Sequence, residues 1–276
     1  MATSNATPWS SSYRLIAAKK WRAKSAVLGS AVTEALVEYA LPQLGMKVLD
    51  LASGTGEPGI SLAQRVGPDG HVTATDLSSD LLELASQRAR DKGLTNFSTQ
   101  QADAHALPFG QSFDLATCRF GVMFFADVEH ALMELRRVLK PGARACFAAW
   151  GPIDQPYWQT TMEIVRRHAG GAMIENGGAD PFRFSKAGSL TKGLQAAGFR
   201  EVEESLRNLP WTWPGDADEV FEYACAVATP FRPMLERVPA EQWPVIHAEA
   251  KEAIERYRVG DEVRFGAKVV FASGIA

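Results

Sequence analysis

The chain has 276 residues, of which 46% are hydrophobic and 22% are charged, an ordinary balance for one folded α/β domain with an insertion. The net charge of −3 is not the positive excess typical of nucleic-acid-binding proteins, so we expect no nucleic-acid partner. No apolar run approaches the length of a membrane span, and the Ser/Thr-rich residues 1–12 lack the apolar segment of a secretory signal. The three cysteines form no metal-binding motif, which predicts reduced thiols, no metal site and a cytoplasmic protein.

The first half of the chain alternates short apolar runs with helical patterns. A tail at 1–12 is predicted to be disordered, and residues 13–40 carry a helical pattern with a break near Gly29. Predicted strands then cover residues 47–51, 70–76, 96–100, 112–120 and 143–150. Helical patterns separate most of these strands, including one over 127–139 that ends at Lys140-Pro141-Gly142. This alternation predicts a mainly parallel sheet with helices on both faces.

The second half of the chain has a different pattern. Predicted helices cover 156–168 and 185–197, a strand covers 199–209, and another strand covers 263–272. The proline- and aromatic-rich region between those two strands predicts a helical cap. The predicted fold is thus α/β, with a doubly wound, mostly parallel, seven-stranded Rossmann-like sheet. Its predicted segments are the tail (1–12), N-terminal helices (13–40), nucleotide-binding core (41–150), remaining core with partial cap (151–209), cap insertion (210–262) and final strand (263–276).

A glycine-rich loop joins the first predicted strand to the next helix. Gly54-x-Gly56-x-x-Gly59 fits the dinucleotide-binding fingerprint, and Asp76 follows Gly56 by 76 − 56 = 20 residues, where a ribose-binding acid belongs. An acid before the loop, here Asp50, is instead typical of S-adenosylmethionine (SAM) sites. The loop alone therefore leaves both NAD(P) and SAM open.

Two acids follow the next predicted strands. Asp76 can accept hydrogens from both ribose hydroxyls, as a carboxylate does in bidentate contacts. Asp103 can accept from an exocyclic adenine amine, and Leu107-Pro108-Phe109 provides an apolar wall for the ring. Since the carboxyl ends of parallel strands meet at one edge, these residues predict a nucleoside site there.

Four short sequences occur in order over residues 45–150. They are VLDLASGTG (48–56), ATDLS (74–78), ADAHALPF (102–109) and ELRRVLKPG (134–142). Together they resemble the class I SAM-dependent methyltransferases, in particular the ubiquinone/menaquinone-type C-methyltransferases. The resemblance indicates the cofactor and says little about the methyl acceptor.

The resemblance implies a role for each loop at the predicted edge. Asp50 and the Ala52–Gly56 loop would hold the methionine end, Asp76 the ribose, and Asp103 with Ala104 the adenine. Arg119 and Phe120 would lie beside the transferred methyl. The predicted cofactor-binding residues are Asp50, Ala52, Ser53, Gly54, Gly56, Asp76, Leu77, Asp103, Ala104, Arg119 and Phe120.

Aromatic residues concentrated after residue 150 predict a small, apolar or aromatic acceptor. We expect Met123, Phe124, Tyr157, Trp211 and Trp213 to line its pocket. The sequence identifies neither a general base, nor the acceptor atom (O, N or C), nor the oligomeric state. Two alternatives stay open: an NAD(P)-dependent oxidoreductase, against which the missing Tyr-x-x-x-Lys motif counts, and a SAM-binding protein without turnover.

Overall fold

The computed structural model of this chain describes residues 20–175 and 177–276. Their contacts form two compact units. The core unit consists of Ala31–Pro152, Pro181–Arg207 and Lys268–Ala276, and the helical unit of the residues up to Ser30, Ile153–Asp180 and Asn208–Ala267. The predicted tail at 1–12 and residues 13–19 of the predicted N-terminal helices lie outside the described residues. The segment boundaries expected from the sequence stay predictions.

Eleven α-helices and eight strands lie in the described part of the chain. The helices are α1 (Arg22–Leu28), α2 (Ser30–Ala40), α3 (Gly59–Val66), α4 (Ser79–Asp91), α5 (Val128–Val138), α6 (Pro156–Thr160), α7 (Met162–Ala169), α8 (Ser189–Ala196), α9 (Ala217–Val227), α10 (Arg232–Glu236) and α11 (Trp243–Glu255). The strands are β1 (Lys47–Leu51), β2 (His71–Asp76), β3 (Phe97–Gln101), β4 (Phe113–Arg119), β5 (Leu139–Trp150), β6 (Arg200–Trp213), β7 (Arg258–Val259) and β8 (Glu262–Ile275).

The strands form one sheet in the order β3-β2-β1-β4-β5-β8-β6. Strands β1 to β5 pair in parallel, and β8 runs antiparallel to β5. The predicted mostly parallel α/β sheet is therefore confirmed, with seven strands on one path and the two-residue β7 paired to β8 beside it. The order reverses between β1 and β4, and ligands of open α/β sheets bind at the carboxyl ends beside such a reversal.

The core of the sheet follows from uninterrupted apolar runs. In β1, Val48 to Leu51 are all buried, because helices cover both faces of a parallel sheet. Helix α3 buries Ile60, Leu62, Ala63 and Val66, the apolar positions predicted from their spacing. These two elements hold the glycine-rich loop between them.

The start of β5 differs from the prediction. Helix α5 ends at Val138 and the strand begins at Leu139, so Lys140-Pro141-Gly142 lies inside β5. The pairing with β4 shifts register after Phe113↔Leu139 and resumes at Leu115↔Arg144. An irregular edge of this kind accommodates a proline and a glycine with φ of 82°.

Three further element boundaries differ from the sequence pattern. The predicted helix at 156–168 is broken at Thr161, where φ is −119° and ψ is −90°. The predicted helix at 185–197 begins only at Ser189, after Gly188 in a left-handed conformation. Strand β6 continues beyond the predicted end at residue 209 to Trp213.

The helical unit packs mainly through aromatic side chains. Trp21, which immediately precedes α1, contacts Tyr223 of α9 edge-on, with ring centroids 5.8 Å apart. Two ion pairs, Lys20 with Glu222 and Lys24 with Glu219, connect the same two helices. Among the described residues, the helices are too short or too polar to cross a membrane.

Candidate functional site

The glycine-rich loop after β1 turns through left-handed backbone conformations. These occur at Ala52 (φ 50°), Gly54 (φ 55°) and Gly56 (φ 105°). A Cβ on Gly56 would come within 2.7 Å of Ile60 Cδ1, so this glycine allows close packing against α3. A Cβ on Gly54 would meet no atom within 4 Å. The loop thus presents open backbone at Gly54, as close approach of a ligand requires.

Asp50 is buried behind this loop, with 0% of the residue exposed. Its Oδ2 accepts the Gly59 amide at 3.1 Å and its Oδ1 accepts the Thr117 hydroxyl at 2.7 Å. Burial raises the pKa of Asp50 to about 6, against the opposing effect of the Thr117 hydroxyl and the Gly59 amide. Asp50 therefore joins β1, β4 and the start of α3 at the base of the loop.

Ser53 carries a buried hydroxyl at the same place. Its amide donates to the Thr75 carbonyl at 2.9 Å. Although Ser53 Oγ faces Asp50, it lies outside hydrogen-bond geometry of every described residue. Buried polar atoms are normally paired, so this hydroxyl beside open backbone fits a polar group of a bound ligand.

Asp76 connects the glycine-rich loop to the end of β2. Its Oδ2 accepts the Gly54 amide at 2.9 Å, and its Oδ1 accepts the Ser78 amide at 3.0 Å. Each carboxylate oxygen keeps a second lone pair, so the half-buried Asp76 can still accept from a diol. The next residue, Leu77, is 42% exposed and provides an apolar surface beside the carboxylate.

Arg88 of α4 holds the outer side of the loop, which the sequence did not indicate. One guanidinium nitrogen donates to the Thr55 carbonyl at 2.6 Å and to the Thr55 hydroxyl at 3.1 Å. The other lies 3.6 Å from a Glu57 carboxylate oxygen. A basic residue in the last turn of a helix is common, so only the folded geometry reveals this contact.

Asp103 begins a tight turn after β3. Its Oδ1 accepts the His105 amide at 2.9 Å and faces His105 Nδ1 at 2.6 Å, and its carbonyl accepts the Ala106 amide at 3.0 Å. Burial acts to raise the pKa of Asp103, but the amide and ring of His105 together lower it below its ordinary value. Asp103 is therefore a half-exposed, ionised acceptor at the predicted adenine position.

Helix α5 fixes the apolar stretch that follows this turn. Glu134 Oε1 accepts the Leu107 amide at 2.9 Å. Arg137 donates to the carbonyls of Phe109 (2.8 Å) and Leu107 (2.9 Å) and to both Glu134 oxygens. Hydrogen bonds from Arg137 lower the pKa of Glu134. The ADAHALPF and ELRRVLKPG sequences are thus joined by hydrogen bonds in the folded chain.

Arg119 and Phe120 lie at the carboxyl end of β4. Arg119 donates to the Thr33 hydroxyl of α2 at 2.8 Å. Phe120 has a φ of 56° and stacks on Trp150 with ring centroids 4.4 Å apart. Both residues are half-buried, at the edge where Asp50, Gly54 and Asp76 also lie.

The five residues predicted to line the acceptor pocket fall into two groups. Met123 and Phe124 belong to the core unit, where Met123 is buried and its sulfur accepts the Trp150 amide at 3.1 Å. Tyr157, Trp211 and Trp213 belong to the helical unit, where all three are buried. There, Tyr157 and Trp211 contact edge-on at 5.9 Å, and Trp213 Nε1 donates to Glu219 at 3.3 Å. Their role in acceptor binding stays a prediction.

The cysteines and metal-type ligands show no second centre within the described ranges. Cys118 and Cys146 are buried and Cys225 is half-buried, and none forms a disulfide. Burial raises the pKa of Cys146 to about 11 and that of Cys225 to about 12. In residues 20–175 and 177–276, no group of three or more His, Cys, Asp or Glu could hold a metal ion.

Residues 43–169 match the model of a family described as "Methyltransferase domain". The ubiquinone/menaquinone biosynthesis C-methyltransferase UbiE of Cupriavidus metallidurans is 32% identical over 169 residues, which cover 58% of this chain and 69% of that protein. The chain belongs to the class I SAM-dependent methyltransferases. The resemblance drawn from the four sequence stretches is thereby confirmed, and an NAD(P)-dependent oxidoreductase is not favoured.

Other relatives match over a shorter length or only in fold. UbiE of Shewanella frigidimarina is 42% identical over 110 residues, which cover 39% of this chain and less than half (44%) of that protein. The crystal structure of the YcgJ protein from Bacillus subtilis has a TM-score of 0.57 and 22% identity, covering 88% of this chain and 97% of that one. The latter likeness shows that the two chains share a fold.

Proposed function

We propose that this methyltransferase transfers a methyl group from SAM to a small, apolar or aromatic acceptor by in-line displacement. The observation that carries the proposal is the Asp76 carboxylate. Its oxygens accept hydrogen bonds from backbone amides of the glycine-rich loop and of the turn after β2. The open backbone at Gly54 and the Ser53 hydroxyl, unpaired among the described residues, belong to the same loop. This arrangement fits the ribose diol of SAM at Asp76 and the polar methionine end of SAM at the glycine-rich loop.

The residues of the core unit fit the remaining parts of SAM. Asp103 and Ala104 would bind the adenine, and the Ala52–Gly56 loop the methionine end. Asp50 would act through that loop, since it is completely buried behind it. Arg119 and Phe120 would lie nearest the methyl group. When bound, SAM supplies a methyl group activated by its sulfonium charge.

The contribution of the protein to such a displacement is alignment and exclusion of water. Holding donor and acceptor in line can lower the barrier by up to roughly 7–11 kcal/mol. Aromatic side chains such as Phe120 and Trp150 suit an apolar acceptor and a cationic sulfonium alike. A general base is needed only for an acceptor that carries a proton at neutral pH. Because the relatives are named C-methyltransferases, carbon is the first acceptor atom to test.

Calorimetric titration with SAM, S-adenosylhomocysteine (SAH) and NADH tests the cofactor. We expect SAM and SAH to bind and NADH not to bind. The Asp76→Asn variant should lower SAH affinity by roughly 10- to 100-fold, because it removes charge-assisted acceptance of the ribose hydroxyls. Asp80→Asn is the matched control, since Asp80 is an exposed acid at the start of α4 and should leave affinity unchanged.

Two outcomes would change the proposal. Binding of NADH without SAM or SAH would return the glycine-rich loop to its dinucleotide interpretation. Tight SAM binding with no methylation across carbon, oxygen and nitrogen acceptors would support a SAM-binding protein without turnover.

A further inference from the structure

His105 joins two loops of the core unit through both nitrogens of its ring. Nδ1 lies 2.6 Å from Asp103 Oδ1, and Nε2 lies 3.2 Å from the backbone nitrogen of Asp127, at the start of α5. A backbone N–H can only donate, so Nε2 is the acceptor. The ring proton therefore sits on Nδ1 and is donated to Asp103.

These contacts leave the Asp103 carboxylate asymmetric. The His105 amide and the His105 ring both donate to Oδ1, and in the described part of the chain nothing donates to Oδ2. The carboxylate is half-exposed, with 52% of the side chain accessible, whereas the His105 side chain is 22% accessible. Without the ring, only the turn's own amide would orient this carboxylate.

The surroundings of His105 also fix the ring itself. Phe125 contacts it edge-on at 6.1 Å, and the His130 ring lies 6.0 Å away. The Asp127 carboxylate accepts the His130 amide at 3.0 Å. The His105 ring is thus held between the turn after β3 and the first turn of α5.

We propose that His105 is a positioning residue for adenine recognition, which holds Asp103 so that Oδ2 accepts the exocyclic amine of the cofactor. The proposal rests on the proposed function, since it requires SAM to bind with its adenine at Asp103. His105 itself does not touch the cofactor in this scheme. Its effect therefore passes entirely through the amine that Asp103 recognises.

A comparison of two ligands isolates this effect. SAH carries the exocyclic amine, and its 6-deamino analogue, with purine in place of adenine, lacks only that group. We expect His105→Ala to weaken SAH binding by roughly tenfold, the loss of one charge-assisted hydrogen bond, and to leave binding of the 6-deamino analogue within about twofold of wild type. Calorimetry measures both affinities.

Three further variants complete the test. His105→Asn places an amide donor near the Nδ1 position and should recover much of the SAH affinity. Glu129→Ala changes an exposed residue in the first turn of α5, away from the Asp103 bonds, and should change neither affinity. Adding His105→Ala to Asp103→Ala should weaken SAH no further than Asp103→Ala alone, because both changes remove the same contact.

Equal weakening of both ligands by His105→Ala and His105→Asn would show a purely structural role and overturn the proposal. Unchanged SAH affinity in His105→Ala would overturn it as well. Failure of the wild-type protein to bind either ligand is a separate result, since it would contradict the proposed function itself.

Discussion

Asp50 is a carboxylate that the fold buries completely, with hydrogen-bond donors from β4 and from the start of α3. Burial raises its pKa from 3.8 to about 6, so the native state binds a proton more readily than the unfolded chain does. Between these two pKa values, the unfolded chain has released the proton while the native state still holds it. The contribution of Asp50 to stability therefore falls as pH rises through this window.

The Asp50→Asn variant should remove this pH dependence. An asparagine can accept the Gly59 amide with its oxygen and donate to the Thr117 hydroxyl, so the packing is retained. Relative to the variant, the free energy of unfolding of the wild type should fall by about 3 kcal/mol between about pH 3 and pH 7. Urea denaturation of both proteins across this range measures the difference. Parallel pH profiles would show that Asp50 has an ordinary pKa in the folded protein.

Asp50 also shows what could and could not be predicted for a single residue. Its position before the glycine-rich loop favours SAM over NAD(P), because spacing along the chain is visible in the sequence, whereas its contact with the cofactor stays a prediction. Its partner Thr117 lies in β4, which the sequence does not place next to β1. The same holds for Arg88, whose contact with Thr55 depends on how α4 packs.

At the scale of elements, helix α5 supports the loop that follows β3. Its contribution is a set of directed hydrogen bonds from Glu134 and Arg137 to the backbone of Leu107 and Phe109. Arg137 is suited to this role because a planar guanidinium can donate to several acceptors in fixed directions. The conformation of the predicted adenine wall is thus maintained by a helix distant in sequence.

Replacing Arg137 by lysine should loosen this loop while keeping the positive charge. Lysine can still pair with Glu134, but it cannot also donate to both carbonyls. We expect a loss of about 1 kcal/mol in the free energy of unfolding, typical of a net hydrogen bond. Faster exchange of the Leu107 and Phe109 amide hydrogens should accompany it.

Arg136→Lys provides the control, since Arg136 is an exposed neighbour on the same helix. The Leu107 and Phe109 amides should exchange faster in Arg137→Lys than in Arg136→Lys. If they behave alike, the Arg137 contacts do not hold the loop.

The limits of prediction at this scale lie at the ends of elements. Helix α5 lies within the helical pattern at 127–139 and buries Leu132, Leu135 and Val138 at helical spacing. The terminator Lys140-Pro141-Gly142 ended the helix as expected, yet the strand begins before it. A shift in strand register absorbs these residues, and register depends on the neighbouring strand rather than on local sequence.

At the scale of the whole molecule, the reactivity of the cysteines can report the opening of each unit separately, because both units contain a cysteine. Cys118 and Cys146 lie in β4 and β5 of the core unit, at neighbouring register positions. Cys225 lies in α9 of the helical unit and is half-buried. Burial raises the pKa of all three thiols, so labelling requires local or global opening.

Thiol labelling in increasing urea should therefore proceed in a defined order. We expect Cys225 to be alkylated first, and Cys118 and Cys146 to follow together when the central strands open. Peptide mapping by mass spectrometry after timed alkylation identifies each site. Labelling of Cys118 or Cys146 ahead of Cys225 would contradict this order of opening.

The class of the fold was predictable because alternating strands and helices leave few topologies open. The helical insertion between the last two long strands was also predictable, because a proline- and aromatic-rich region separates the two strand patterns. The end of β6 at Trp213 could not be predicted, because aromatic residues are equally common in a strand and in the core of a helical cap. Trp211 and Trp213 lie two residues apart at the end of this strand, and both are buried.

Strand β8 lies between β5 and β6, although it follows both in the chain. During synthesis on the ribosome, β5 therefore emerges long before the strand that covers its outer edge. The nascent chain carries an unpaired β-edge until residues 262–275 leave the exit tunnel, and such edges are sites of aggregation. The sheet of this methyltransferase is consequently completed only after β8 has been synthesised.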